Sequence, residues 1–533
     1  MVDKPTAEDT KAPADKPKNA KRNRKHIKML SAFAVLFGII AMMACLTWVI
    51  PSGKYNLVSD PNNPSETIRE AGTYQEIPKI ETVLNDETGE TNTIDHRQGL
   101  WDIFMAPIKG MSDRLDVIVF VLILGGFLGV VMKTGALDAA LGGLLKKMNG
   151  KEKWLIPILM TLFAIGGTTY GMQEEAVAFY ALIVPVMIAA GYNAMTAVLI
   201  IVLGGGVGVL ASTVNPFSTG IAARTANVQL GSILWIQALV LIAMLIIAII
   251  FTMRYAAKVK AGKYKEDSSL ASTFKALDLE AVPEYTKKRK AIMGIFALTF
   301  IIMIISLIPW TNFHITIFED FHTWLASIPL FSAIIGAEHN VALGSWYFNE
   351  ISALFLISAL IIAFIYRKDF HGKNSSITDI FIDGAEQLLS VAVIIAVAAA
   401  VSIVMRNGGI EDTIIHWGET GLKNSNGGVV GILAYLFYLP LSFIIPSSSG
   451  LAAASMPIIA PVADLVGSTK ETMVVAFATA NGLLNMIAPT IASLMAGLTL
   501  AGVSYKTWVK RVLPVMFIFV VISLVAVFVM GVI

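Results

Sequence analysis

The chain has 533 residues, 56% hydrophobic and 15% charged, with a mean hydropathy of +0.70. Many apolar runs exceed about 18 residues, which excludes a soluble globular domain and reads as an integral membrane protein. The net charge of +2 is uninformative alone, no nucleic-acid partner is expected, and the single cysteine, Cys45, rules out a disulfide framework and reads as a small apolar filler.

Residues 1–28 are polar and rich in Pro and Lys, and read as a disordered cytoplasmic N-terminus. The basic cluster Lys21–Lys28 abuts the first span, about 29–50, and basic flanks stay on the cytoplasmic side, so the N-terminus is expected inside. Residues 51–113 are rich in Asp, Glu, Asn and Thr and read as an external loop. A second span, about 115–133, returns to Lys146, Lys147, Lys151 and Lys153. The segment 154–190 follows, with apolar runs Trp154–Ile165 and Glu175–Ala190 each too short to cross. They meet at Gly166-Gly167-Thr168-Thr169-Tyr170-Gly171, so the segment is expected to be a re-entrant hairpin. A helix over 195–230 is interrupted at Ser212–Gly220, where Pro216 after Asn215 breaks the backbone ladder. A span over about 232–253 closes a first repeat, 29–257, and leads into a cytoplasmic linker, 258–289.

Residues 290–350 read as an extra span, about 290–309, and an external loop; Thr311–Glu350 contains no Lys or Arg. Its apolar piece, about 321–336, is expected at the outer interface. A second repeat, 351–533, begins with a span over about 351–366 that returns to Arg367, Lys368 and Lys373. The amphipathic run Asp379–Gln387 is expected to lie along the inner surface. A span over about 386–405 leads to a loop with Glu411, Asp412 and Glu419, then to a second half-length hairpin, 429–467, turning at Pro446–Gly450. A second broken helix, 473–501, is interrupted by Asn481-Gly482, Asn485 and Ala488-Pro489-Thr490. Lys506, Lys510 and Arg511 are then inside, and a last span, about 512–532, leaves the C-terminus outside. The fold class is thus an all-α polytopic membrane protein with about nine transmembrane helices and two hairpins, all basic clusters falling on one side.

The halves correspond: Val131-Met132-Lys133-Thr134-Gly135 matches Val404-Met405-Arg406-Asn407-Gly408, and Lys133 to Arg406 and Pro216 to Pro489 span the same 273 residues. The charge parity makes the copies run in opposite directions, an inverted repeat of the kind that holds a substrate near the bilayer midplane.

Buried carboxylates in a membrane are costly and usually face a cavity or a cation, which makes Glu174 and Glu175 the leading candidates. A guanidinium or ammonium substrate would supply that cation. The alternatives are a helix-dipole role or a pairing with Arg224. Consecutive helical residues point about 100° apart, so the two carboxylates divide their tasks. The hairpin tips, Thr168, Thr169, Tyr170, Gly171, Ser447, Ser448, Ser449 and Gly450, offer hydroxyls and amides to an α-carboxylate, or are ordinary turn chemistry. Asn215, Ser218, Asn481 and Asn485 flank the breaks and reach the same cavity, or glue helices together. The Gly204–Gly208 run reads as close helix packing. A serine hydrolase lacks a base, because the histidines lie outside the spans, and no zinc motif occurs, so neither metal nor cofactor is expected. A dianionic substrate beside the glutamates would be repelled unless cations compensate; coupling to H+ or Na+ stays open.

The strings Gly166–Pro185, Ser212–Gly220, Pro446–Asp464 and Ala480–Pro489 resemble the C4-dicarboxylate anaerobic carrier family, most of all its YfcC-like branch of basic amino-acid (arginine/ornithine) antiporters. The likeness covers nearly all of residues 29–532. It implies a carrier of amino acids or, alternatively, of C4-dicarboxylates, and a homodimer in a bacterial cytoplasmic membrane, with a fixed scaffold and a transport domain moving as an elevator. Sodium-coupled relatives of this superfamily carry Ser-Asn-Thr motifs at the tips, a pattern from which Gly-Thr-Thr-Tyr-Gly and Pro-Ser-Ser-Ser-Gly depart.

Overall fold

The computed structural model describes residues 32–533 apart from 61–62, 85–90, 149–150, 174, 265–282, 309, 314, 338–339, 371–375 and 426. The N-terminal segment 1–28, Glu174 and most of the central linker lie outside the described residues.

The first apolar run forms α1 (Ala32–Val49). The segment read as an external loop is folded, which corrects the all-α expectation. It contains β1 (Ser52–Lys54), β2 (Leu57–Asp60), β3 (Asn63–Arg69), β4 (Gln75–Ile77), β5 (Ile80–Leu84) and β6 (Thr91–Asp95). These pair antiparallel as β1–β4, β2–β3 and β5–β6. Short runs with β-branched residues, such as Thr67-Ile68 and Thr82-Val83, favour strand once a partner is in place. The segment ends in α2 (Leu100–Asp113), which buries Ala106 and Gly110 and exposes Trp101, Phe104 and Ile108.

The chain continues as α3 (Leu115–Lys133), α4 (Ala136–Met148), the hairpin α5 (Leu155–Thr169) and α6 (Ala176–Ala189), the broken helix α7 (Ala194–Leu210) and α8 (Ile221–Ala226), and α9 (Leu230–Lys260). Next come α10 (Lys287–Leu307), two short helices α11 (Ile317–Ala326) and α12 (Pro329–Ile335), and α13 (Phe348–Phe370). Neither α11 nor α12 is long enough to cross, and Phe321, Trp324, Leu330 and Ile334 are exposed. Then follow α14 (Ile377–Gln387), α15 (Leu389–Asn407), α16 (Ile410–Lys423), the hairpin α17 (Gly427–Ile444) and α18 (Ser448–Leu465), the broken helix α19 (Lys470–Asn485) and α20 (Ala492–Ala501), and α21 (Tyr505–Val532).

Seven helices among the described residues are apolar and long enough to cross a membrane: α3, α9, α10, α13, α15, α18 and α21. All but α18 coincide with spans read from the sequence. The second hairpin's arms, read as half-length, are 18 residues each, or about 27 Å by helical rise, and Pro440, Pro457 and Pro461 lie within them. The segment holding Glu411, Asp412 and Glu419, read as a loop, is the helix α16.

The order α2-α3-α4-hairpin-broken helix-α9 recurs as α14-α15-α16-hairpin-broken helix-α21. The matching five-residue strings lead into the two helix-to-helix turns, which close at glycines in the left-handed region: Gly135 (φ 65°), the last residue of its string, and Gly409 (φ 62°), one residue beyond the other. Packing is reciprocal: α2 lies on α15 and α14 on α3, while α1 lies on α15 and α13 on α3. Glycines permit these approaches. Gly110 faces the α15 backbone at Ala396 and Ala400, and Gly384 faces Gly125 and Gly129 of α3, so α14 packs on the bundle rather than only skirting its surface. These helices form one group. Helices α5–α9 and α17–α21 form a second, joined through α7 on α19, where Gly482 meets Leu210 and Gly206 meets Met486. Gly204 and Gly208 pack against α5, as read from the sequence.

The β-sheet segment is clasped to α16. Arg69 binds Asp412 at 2.7 Å and Glu411 at 3.1 Å, and the Tyr55 amide donates to Asp412 at 3.1 Å. Glu419 accepts from Lys423 (2.8 Å) and the Tyr55 hydroxyl (3.0 Å), with His416 Nδ1 3.2 Å away. Burial pushes the Glu411 carboxyl up, against the pull of Arg69. Burial would raise Glu419 too, but bonds from Lys423, Tyr55 and His416 outweigh it and hold that carboxyl below its ordinary value. Lys79 seals the junction by donating to the Thr47 and Ile50 carbonyls at the C-terminal end of α1.

Replacing Arg69 leaves two largely buried carboxylates side by side without their cation, so Arg69→Gln is expected to cost about 3 kcal/mol. The melting temperature of the detergent-purified protein should fall, and adding Glu411→Gln with Asp412→Asn should recover most of the loss.

Candidate functional site

A cavity of about 160 Å³ lies between the two helix groups. From the second group come the two hairpin tips and both helix breaks: Tyr170, Gly171, Gln173, Glu175, Asn215, Phe217, Ser218, Ser447, Ser448, Ser449 and Thr490. From the first come Asp113 and Arg114 at the α2–α3 junction, Tyr347, Phe348 and Ser402.

The first tip turns because Gly171 adopts φ 78°, a conformation costly for any residue with a Cβ. Its space is also taken: a Cβ there would sit 2.5 Å from the Asn215 side-chain amide. The Gly166 carbonyl gathers the amides of Tyr170, Gly171 and Met172. Thr168 faces the break rather than the cavity. Its hydroxyl donates to the Ala211 carbonyl (2.9 Å) and accepts from the Thr213 amide (3.0 Å), while its carbonyl receives the Val214 amide (3.2 Å). Thr169 bonds back to the Ile165 carbonyl. Both threonines were candidates for substrate contact; neither lines the cavity, because each hydroxyl satisfies helix carbonyls at or near the interruption. Glu175 does line it and is only 6% exposed, with the Gln173 amide 3.3 Å from its carboxylate.

At the first break, Asn215 caps a single turn of π-helix, Pro216–Gly220, accepting from the Phe217 amide at 2.9 Å. Such wide turns recur at functional positions. Ser218, 1% exposed, has a hydroxyl with no hydrogen-bond partner among the described residues.

At the second tip, Ser447 caps α18 through the Gly450 amide (3.2 Å) and receives the Arg114 guanidinium at 3.3 Å. Ser448 donates to Asn481 at 2.6 Å and accepts from Asn485 at 3.1 Å, which staples tip to broken helix. Asn481 therefore stands behind the cavity wall, and Asn485 faces a second, smaller space of about 40 Å³ beside Gln173 and Tyr180. Gly450 is exposed and outside the cavity lining. Thr490, from the second break, donates to the Phe443 carbonyl at 3.0 Å.

Of the fourteen residues read as candidates, eight line one cavity: Tyr170, Gly171, Glu175, Asn215, Ser218, Ser447, Ser448 and Ser449. Sequence reasoning missed Asp113 and Arg114, although an acid–base doublet at the head of an apolar run is itself a signal. Asp113 lies 3.5 Å from Arg114 and 4.0 Å from Arg406. It also missed Tyr347 and Phe217, whose rings meet edge-on with centroids 5.5 Å apart across the cavity wall.

Residues 29–532 match the sequence profile of the C4-dicarboxylate anaerobic carrier family. A protein of Haemophilus influenzae with no assigned function is 30% identical over 525 residues, covering 93% of this chain and 96% of its own. An Escherichia coli protein provisionally named basic amino acid antiporter YfcC is 28% identical over 512 residues, covering 90% of this chain and 92% of its own. Two solved structures also resemble the chain at low identity. The YdaH transporter of Alcanivorax borkumensis is 14% identical, with a TM-score of 0.41 over 94% of this chain and 98% of that one. MtrF of Neisseria gonorrhoeae, described with a class of antimetabolite efflux pumps, is 16% identical, with a TM-score of 0.39 over 94% and 95%.

The turn at Gly171 generates a stability test. Gly171→Ala combines left-handed backbone strain of about 1–2 kcal/mol with the clash against Asn215. The melting temperature should drop, and Asn215→Ser, which keeps a capping oxygen but vacates the space, should recover only the steric part of the loss.

Proposed function

We propose that this chain, which belongs to the C4-dicarboxylate anaerobic carrier family, is a secondary carrier that exchanges one basic amino acid, such as arginine, for a related one, such as ornithine. The observation that carries this reading is Glu175. It is nearly sealed from solvent, lines the cavity between the two tips, and suits a guanidinium or ammonium passenger. The name of the Escherichia coli relative supports the same substrate class.

The grouping of helices supports an elevator. The group containing both tips and both breaks holds most of the polar lining and is the part that moves. The group of α1–α3 and α13–α15 is the scaffold, and α4 and α16 connect the two. In the same proposal the recurring halves are an inverted repeat, the N-terminus is cytoplasmic, the C-terminus is outside, and the scaffold pairs two copies in a bacterial cytoplasmic membrane. The second reading, a C4-dicarboxylate carrier, is favoured by one observation: Arg114 shares the cavity and matches a carboxylate.

Counterflow separates them. Proteoliposomes loaded with ornithine should accumulate labelled arginine, with fumarate a poor competitor; exchange of fumarate alone would establish the second reading instead. Glu175→Gln should lower arginine exchange by about tenfold or more, the scale of a charge-assisted hydrogen bond, and Glu174→Gln tested separately assigns the partner carboxylate.

A further inference from the structure

We propose that Arg114 forms a carboxylate-binding subsite that makes this carrier select passengers bearing a free α-carboxylate. The inference deepens the amino-acid reading above and rests on it. Among the described residues, the polar side-chain contacts of Arg114 are a 3.5 Å approach to Asp113 and a 3.3 Å bond to the Ser447 hydroxyl. Neither is the short, paired contact that a guanidinium fork makes with a carboxylate. Asp113 is shared with Arg406 and does not satisfy the fork.

The acceptor Arg114 now uses belongs to the hairpin tip. Ser447 sits at the N-terminus of the 18-residue helix α18, where the first amides lack helical partners and favour an anion. A second feature points to a ligand in the same space: the Ser218 hydroxyl, almost fully buried on the cavity wall, is unpartnered. A carboxylate placed between Arg114 and the tip replaces a neutral hydroxyl acceptor with a charged, bidentate one. Glu175 remains for the cationic end.

The two ends of the passenger match the lining: Arg114 suits its carboxylate and Glu175 its guanidinium or ammonium, whereas a dicarboxylate brings no cationic end. Arg114 comes from the helix group opposite the tips, so a bound carboxylate contacts both groups when they are apposed as here.

The test compares arginine with agmatine, which has the guanidinium but no carboxylate, as competitors of labelled-arginine counterflow in proteoliposomes of the full chain. The wild type should prefer arginine by about tenfold or more, the scale of a hydrogen bond to a charged group. Arg114→Gln should bring the two within about twofold by weakening arginine alone, with Arg114→Lys intermediate because it keeps charge but not the fork. The ratio is read within each variant, so it does not depend on how much protein inserts. Arginine exchange with the preference unchanged in Arg114→Gln, or no preference in the wild type, overturns this subsite and leaves the amino-acid reading standing. A wild type that exchanges no basic amino acid overturns both.

Discussion

The structure depends on one requirement: peptide groups released by broken helices inside an apolar bundle must find partners within the protein. At the first tip that partner is Thr168, whose hydroxyl and carbonyl together receive or supply bonds to Ala211, Thr213 and Val214. At the second they are Ser447, which accepts from the Gly450 amide, and Thr490, which donates to the Phe443 carbonyl, while Ser448, Asn481 and Asn485 tie the tip to the broken helix through their side chains. Each tip is thereby fixed to its own broken helix, and both tips present polar groups to one cavity. The solutions differ in chemistry although the element order is the same, because the requirement acts on geometry and not on residue type.

Close approach is the second constraint. Without a hydrophobic driving force between lipid-exposed helices, cohesion comes from tight packing, and small residues at the crossings supply it. Gly110 on α15 and Gly384 on α3 do this for one helix group, and Gly204, Gly208 and Gly482 for the other. Contacts within each group are extensive, whereas α15 with α20 and α16 with α18 bridge them. The cavity occupies that seam.

The recurring element order is not symmetric at its edges. Helix α16 carries a buried acidic face neutralised by Arg69 and Lys423, with the Tyr55 hydroxyl donating to it, and the β1–β3 part of the sheet segment is held by that face. Its counterpart α4 packs instead on α10 and α3. The sheet segment therefore ties down one connection between the helix groups and not the other.

The sequence by itself determined the membrane class, the positions of most long helices and the two helix interruptions. Apolar run length, Pro and Gly placement and basic flanks act locally along the chain, and burial in lipid enforces them strongly. Only the tertiary structure decided that Thr168 and Thr169 serve helix carbonyls rather than the cavity, that Asn481 stands behind Ser448, and that Arg114 reaches a tip more than three hundred residues away. Which face of a polar side chain meets open space follows from how helices cross, and that angle is set by packing between segments distant in sequence. The strands and α2 were missed for the same reason: weak local preference became structure only when α15 and α16 offered surfaces to bind.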